Sequence, residues 1–330
     1  MAHRITTETR GGRTVYTLHD DASKASASIL PSFGFNLFDL RLPIGNTVLP
    51  ILDAFPDFAE NPRSPGRNGT PVLFPFPNRV KEGKFTFKGK TYSLPITNGP
   101  NAIHGFALSA PWDVIHQSTE GGEASITGHF QISKNSPESR DQWPTDASLK
   151  IRYGLSGRKL SMTVNVTNPT KDDLPYGFGV HPYFRCPFQP GGDLSKTKVI
   201  VPAARFWVLD DFVPTGEMKP VDKRLDFRKG QPMKGLKLDD VLAGLSFDGD
   251  QCVCRLVDET LNAEFRLSFD RTIRELVVYT PPGDGNVISL EPYTQTTDAV
   301  NLATRKIDGG LRVLGHGKSD TFAITMETVG

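Results

Sequence analysis

Leu149-Lys150-Ile151-Arg152-Tyr153-Gly154-Leu155, then Ser156-Gly157-Arg158, then Lys159-Leu160-Ser161-Met162-Thr163-Val164-Asn165-Val166 is the stretch that sets the fold class. Apolar side chains recur at every second position on both sides of the break. An extended chain turns successive side chains to opposite faces, so each arm has one dry face and the glycine-containing triplet joins them as a turn. The same period recurs at Ile126/Gly128/Phe130/Ile132, at Phe265/Leu267/Phe269 and at Phe322/Ile324/Met326. Phe85 and Phe87 precede Lys88-Gly89-Lys90 and then Tyr92 and Leu94, which reads as another hairpin. No segment holds a 3.6-residue apolar stripe for three turns, and prolines interrupt most candidates. Helix is expected only as single turns, near Ala54–Glu60 and around Asp239–Leu242. Many strands at short spacing, separated by Gly, Pro and Asn, predict an all-β chain built as a large antiparallel sandwich or barrel. Strand patterns run from about Thr14 to Glu327 with no linker, repeat or low-complexity tract, so one domain over 1–330 is expected.

Composition narrows the partners. Of 330 residues, 38 are Lys or Arg and 37 are Asp or Glu, a net charge of +1. A phosphate backbone or an anionic membrane calls for a basic stripe, and the sequence has none, which argues against nucleic acid or membrane as a partner. No run approaches the roughly 18–20 apolar residues of a membrane helix. The first ten residues lack the apolar core of a secretory signal. Cys186, Cys252 and Cys254 are too few for a disulfide framework, and Cys252-x-Cys254 lacks a second pair to complete a zinc site. Free thiols in a reducing cytoplasm are expected.

The informative residues lie in loops rich in Gly, Pro and aromatics: Phe74–Val80, Asn101–Phe106 and Pro175–Phe184. A fourth segment, Val287–Thr294, sets a carboxylate at the end of a strand that reads as buried. Aromatic walls with a few convergent polar groups suit a small-molecule cleft. His181 and Glu291 each precede a proline, which steers the backbone to the extended region and gives the side chain a stiff base. On the Glu291 strand, Ile288 and Leu290 face one way; Val287, Ser289 and Glu291 face the other, less apolar way. Each residue also has a plainer reading. His181 fits a hydrogen-bonded buried histidine, Glu291 a strand-end carboxylate paired at the surface, and His104 the cap of a glycine turn. Arg79 fits a structural ion pair, and Asp239 or Asp240 the N-cap of a short helix through Val241. His129, alternating with Thr127 and Gln131, reads as solvated. No histidine pair has metal-ligand spacing.

Together these segments resemble the aldose 1-epimerase (mutarotase) family. The resemblance rests on Asn78-Arg79-Val80 with Gly83, Phe85, Gly89, Tyr92 and Leu94, then Asn98-Gly99 and Ile103-His104-Gly105. His181-Pro182-Tyr183-Phe184, Pro214-Thr215-Gly216-Glu217 with Asp226-Phe227-Arg228, and Glu291-Pro292-Tyr293-Thr294 with Asp298–Asn301 follow in the family's order. A looser match at Gly34-Phe35-Asn36 extends it over most of the chain.

The resemblance implies a galactose mutarotase-like β-supersandwich that interconverts the α and β anomers of a free aldose such as galactose or glucose. It implies His181 as general acid, Glu291 as general base, and Arg79, His104 and Asp239 (or Asp240) as sugar-binding residues. Neither metal nor nucleotide cofactor is implied. Ring opening needs a charged pair, Glu⁻ and His⁺, whose attraction is expected to lower the carboxyl pKa and raise the imidazole's. Two departures stand out: a short connection from His104-Gly105 to Pro111-Trp112, and the doubled Asp239-Asp240. The short connection is similar to the bacterial branch that includes hexose-6-phosphate mutarotases, for which Arg67 or Arg185 can serve as the phosphate cation. A monosaccharide substrate, a cytoplasmic location and a monomer or homodimer are expected. A non-catalytic carbohydrate-binding protein of the same fold and a two-carboxylate glycosidase are the other readings.

Overall fold

A computed structural model describes residues 2–329. Ser148–Ser156 and Lys159–Thr167 pair antiparallel with Leu155 opposite Leu160, and Gly157 sits in the turn at φ 59°. They lie inside a nine-stranded antiparallel sheet. Asp113–Ser118 and Ala124–Gln131 extend it on one side, and Ser319–Val329, Ala263–Phe269 and Cys252–Asp258 continue it on the other. An N-terminal meander of five strands runs from His3–Arg10 to Thr47–Pro50. A third, eight-stranded sheet contains Ala203–Asp210, Asp239–Leu245, Glu275–Tyr279 and Val287–Tyr293 in adjacent positions.

The sheets share one buried apolar cluster, which takes Leu18 and Leu40 from the meander, Ile151 and Val164 from the large sheet, and Leu276, Ile288 and Leu290 from the third. Aromatic contacts mark the seams. Phe184 meets Phe265 at 4.8 Å between the third and large sheets, and Phe35 stacks on Tyr153 at 5.4 Å between the meander and the large sheet. Alternation is what makes this layering work, because each strand offers its dry face to the next layer.

Helix is scarce, as the sequence predicts, but not where the sequence places it. Ala54–Glu60 forms turns closed by Phe58 N–H to Phe55 O and Asn61 N–H to Asp57 O, without a helix. Asp239–Leu242 is strand, so the N-cap reading of Asp239 or Asp240 fails: the segment fills the slot between Ala203–Asp210 and Glu275–Tyr279, and ladder bonds on both edges override its local preference. Among the described residues the α-helices are Ile132–Asn135 and Ala299–Thr304, with short 3-10 turns at Pro65–Arg67, Lys81–Gly83 and Pro137–Gln142. Ile132 therefore ends its strand pattern rather than extending it. Among the described residues no helix is long and apolar enough to cross a membrane.

The turn at His104 is tightly constrained. His104 and Gly105 both have positive φ, 68° and 73°, and a Cβ on Gly105 would lie 2.3 Å from the Phe74 carbonyl oxygen. The loop carrying His104 is thus pressed against Phe74-Pro75, and glycine is required there. Gly105→Ala is expected to lower the unfolding free energy by at least about 1–2 kcal/mol. Urea denaturation measures this, and wild-type stability in the variant would contradict the constraint.

Candidate active site

Directly opposed residues on antiparallel strands point to one face, so the register lays out the site in rows. Tyr183 opposes Ser289, Ser289 opposes Tyr279, and Tyr279 opposes Asp239. In the next row Glu291 opposes Val277, which opposes Val241. The partner strand of Glu291 is interrupted: Gly179–Val180 pairs through Gly179 with Tyr293, and Tyr183–Arg185 resumes opposite Ser289. His181-Pro182 fills the gap, so the imidazole comes from the position across from Glu291. The His181 N–H donates to Pro71 O at 3.0 Å. Ile288 and Leu290 point the other way into the main core, as their alternation predicts.

The two side chains meet. His181 Nε2 lies 3.2 Å from Glu291 Oε1, and both residues are buried, 6% and 1% exposed. The Tyr293 hydroxyl donates to Glu291 Oε2. His181 Nδ1 is 2.8 Å from Ser289 Oγ, and its ring stacks on Tyr183 with centroids 4.5 Å apart. Burial pushes the Glu291 carboxyl well up and the His181 imidazole well down, opposite in both cases to the shift expected from mutual attraction. Loss of hydration outweighs the attraction because both heads are sealed from water.

His181, Tyr183 and Glu291 line a cleft of about 680 Å³, within the size range of small-molecule sites, with Ser289 and Tyr293 buried behind them. Its wall carries His104, whose Nδ1 accepts the Asn78 N–H at 3.2 Å while its own N–H donates to Asn78 O. An acceptor Nδ1 leaves the proton on Nε2, so His104 offers the cleft a donor. Arg79 is held by amide oxygens, Nε to Asn98 Oδ1 and Nη1 to Asn78 Oδ1, each at 3.1 Å, with its guanidinium 4.7 Å over the Phe212 ring. Those contacts replace the ion pair of its plainer reading. Asp239 lines the cleft, half-buried, and burial raises its pKa. Asp240 points away and is clamped by Arg224 at 2.7 and 2.8 Å, which separates the doubled aspartates. All five residues singled out from the sequence therefore line one cleft.

Arg67 and Arg185 do not. Both converge on Asp53 at 2.9 Å, and Arg67 also meets Asp284 at 3.0 Å. Sequence reading missed Ser289, Tyr183 and Tyr293 as members of the site. The signal was there: each lies two residues from His181 or Glu291 and so shares its face. Asn78, which orders His104 and Arg79 together, had no such signal, since its role comes from a turn with φ 58°. His129, read as solvated, is half-buried with Nε2 at 2.9 Å from Ser148 Oγ. The three cysteines are free and buried, and among the described residues no cluster of His, Cys, Asp and Glu is arranged to hold a metal ion.

The sequence pattern of the family described as Aldose 1-epimerase matches residues 14–327. The chain belongs to the aldose 1-epimerase family. Galactose mutarotase of Sus scrofa is 28% identical over 205 residues, 62% of this chain and 56% of that protein. Galactose mutarotase of Rattus norvegicus is 29% identical over 154 residues, 46% of this chain and 43% of that protein. The chain thus spans about half the length of the curated relatives it matches. Among solved structures, a galactose mutarotase-like protein from Clostridium acetobutylicum superposes with a TM-score of 0.87 at 23% identity, covering 100% of this chain and 99% of that one. Galactose 1-epimerase from Lactobacillus acidophilus gives 0.75 at 18% identity, covering 99% and 98%. These two likenesses establish the aldose 1-epimerase fold over the whole chain.

Within this member of the aldose 1-epimerase family, burial lowers the His104 pKa to about 3, with the Arg79 charge adding to the effect. The unfolded chain binds that proton as pH falls through about 6.5 and the folded chain does not, so this contribution is whole above that pH and is lost below it. Stability is expected to fall by up to about 1.4 kcal/mol per pH unit from this residue between about pH 6 and pH 4. Urea unfolding of His104→Asn in that range should show a shallower slope than wild type. Equal slopes would mean that His104 is protonated in the fold.

Proposed function

We propose that this chain is an aldose 1-epimerase acting on a neutral free aldose such as galactose or glucose, with Glu291 as general base and His181 as general acid. The observation that carries the reading is the 3.2 Å approach of the two side chains on the floor of the cleft. The anomeric hydroxyl and the ring oxygen of a pyranose are bonded to the same carbon, so the groups that serve them must themselves be neighbours. Glu291 takes the proton of the anomeric hydroxyl; the C1–O5 bond breaks as C1=O forms, and O5 takes the proton from His181 Nε2. The open aldehyde turns about C1–C2, and the pair runs backwards to close the ring on the other face. General acid and base each contribute roughly 10²–10⁴-fold to such a step.

Burial has a use here. Midway through the cycle the pair is neutral, GluH and His, which is the form a dry site favours. Arg79, the Nε2–H of His104 and Asp239 hold hydroxyls distant from C1, so that motion is confined to the reacting centre. Among the described residues, Arg79 is the one Lys or Arg lining the cleft, while Glu138, Asp239 and Glu291 are carboxyls there. With Arg67 and Arg185 committed to Asp53, a phosphate has little to meet it, which favours a neutral sugar over a hexose 6-phosphate. We take the chain as one domain, a monomer or homodimer working in the cytoplasm without metal or nucleotide. Asp239 beside Glu291 also fits a two-carboxylate glycosidase, and release of reducing sugar from glycosides would support that alternative.

Polarimetry on freshly dissolved α-glucose and α-galactose tests the proposal. Glu291→Gln and His181→Asn are each expected to lower turnover by at least ~10²-fold with the fold retained. Arg79→Ala should act mainly on KM. A rate no better than buffer for every aldose would leave a sugar-binding protein. In the same assay glucose 6-phosphate is expected to be turned over at least about 10-fold less efficiently than glucose, because its phosphate would lie among the cleft carboxyls Glu138 and Asp239 as a like charge. The reverse preference would overturn the assignment of a neutral substrate.

A further inference from the structure

Two hydroxyls touch the ring of His181, and each has only one proton to give. Ser289 Oγ lies 2.6 Å from Pro182 O and 2.8 Å from His181 Nδ1. A carbonyl oxygen cannot donate, so the nearer contact takes the serine proton, and Oγ can only accept from Nδ1. The Tyr183 hydroxyl is committed in the same way: it donates to Gly66 O, and its oxygen lies 3.3 Å from His181 Nε2. Glu291 Oε1 is the third neighbour, also at Nε2. Both hydroxyls that touch the ring, one at each nitrogen, are thus acceptors, and Glu291 is one when ionised. A neutral imidazole would present a lone pair to one of the two hydroxyls, while an imidazolium turns an N–H toward each, the Nε2 proton being shared between Tyr183 and Glu291.

Glu291 is wired in the complementary sense. The Tyr293 hydroxyl donates to Oε2, and a hydrogen bond received by a carboxyl favours its ionised form. The charged and neutral forms of the pair contain the same number of protons and differ only in which side of a 3.2 Å contact holds one of them.

We propose that Ser289 and Tyr183 are positioning residues that hold His181 as a doubly protonated imidazolium, so that the acid is loaded before the sugar arrives. This rests on the acid–base reading above and deepens it. The other groups facing the ring bear on the balance. Arg67 opposes a second proton, Glu291 favours it, and the neutral His104 and Tyr279 each meet the ring edge-on with centroids 5.7 Å apart. Asp239 acts on Glu291, favouring its protonated form. Against this background the two hydroxyls decide the resting form, and burial makes the neutral form accessible during turnover.

Histidine-selective ¹⁵N NMR of the full chain reads this directly, with His181 assigned by loss of its signals in His181→Asn. At neutral pH both ring nitrogens of His181 are expected to carry protons. Ser289→Ala and Tyr183→Phe should each shift the ring toward the neutral form and lower kcat by about 10–100-fold, the scale seen when a partner that orients a functional histidine is removed, with KM changed far less. The acid limb of the kcat–pH profile should move in the same variants, which a purely structural loss would not cause. A neutral His181 ring in the wild type, or an imidazolium unchanged in both variants, would overturn the proposal. An imidazolium that responds as expected in a protein that turns over no aldose would sustain the proton assignment and refute the catalytic reading instead.

Discussion

A carboxylic acid and an imidazole in contact inside a dry site carry one proton between them, and the rest of this structure decides where it sits. In water the pair would ionise without difficulty. Away from water the hydration of both heads is lost, and Glu291 is driven up and His181 down. Opposing that drive are hydroxyls already committed to carbonyls, which can only accept from the ring, and a tyrosine that donates to the carboxylate. The proposed reaction, which opens either anomer and closes to either, benefits when the two forms are close in free energy. The site is built to set two large effects against each other.

The fold supplies that arrangement through register. Val287–Tyr293 places Ser289, Glu291 and Tyr293 on one face, and the interrupted partner strand brings Tyr183 and His181 against them. The interruption at His181-Pro182 turns an ordinary ladder into a site, because it frees a side chain from pairing without moving it from the sheet. Gly179 contributes by what it lacks. A Cβ there would fall 2.3 Å from the Tyr293 ring, so any larger residue would displace the donor to Glu291. On the wall, Asn78 plays a comparable part, joining His104 and Arg79 through four hydrogen bonds. Arg67 and Arg185, by contrast, both pair with Asp53 and do not line the cleft.

Period-two alternation made the strands legible, since the hairpin through Gly157 and the facing of Ile288, Leu290 and Glu291 both follow from the geometry of an extended chain. The cleft residues were legible as ionisable groups isolated among Gly, Pro and aromatics. Asp239–Leu242 misled because a doubled aspartate before apolar residues looks like a capped helix; its strand identity comes from neighbours distant in sequence on both edges. Between Asp239 and Asp240 the resemblance favours Asp239, but the physical reason, Arg224 clamping Asp240, depends on a residue arriving from elsewhere in the chain. The expected pKa directions failed for a related reason. Attraction between two named residues can be read from a sequence, whereas the depth at which they are buried cannot.

For the pair to work as acid and base, one sugar ring must sit with its anomeric hydroxyl on Glu291 and its ring oxygen on His181. A crystal structure of Glu291→Gln with galactose or glucose bound measures this. The expected result is O1 within hydrogen-bond distance of the residue 291 side chain and O5 within that distance of His181 Nε2, with Arg79, His104 and Asp239 on the remaining hydroxyls. A sugar seated in the cleft with C1 turned away from both side chains would contradict it.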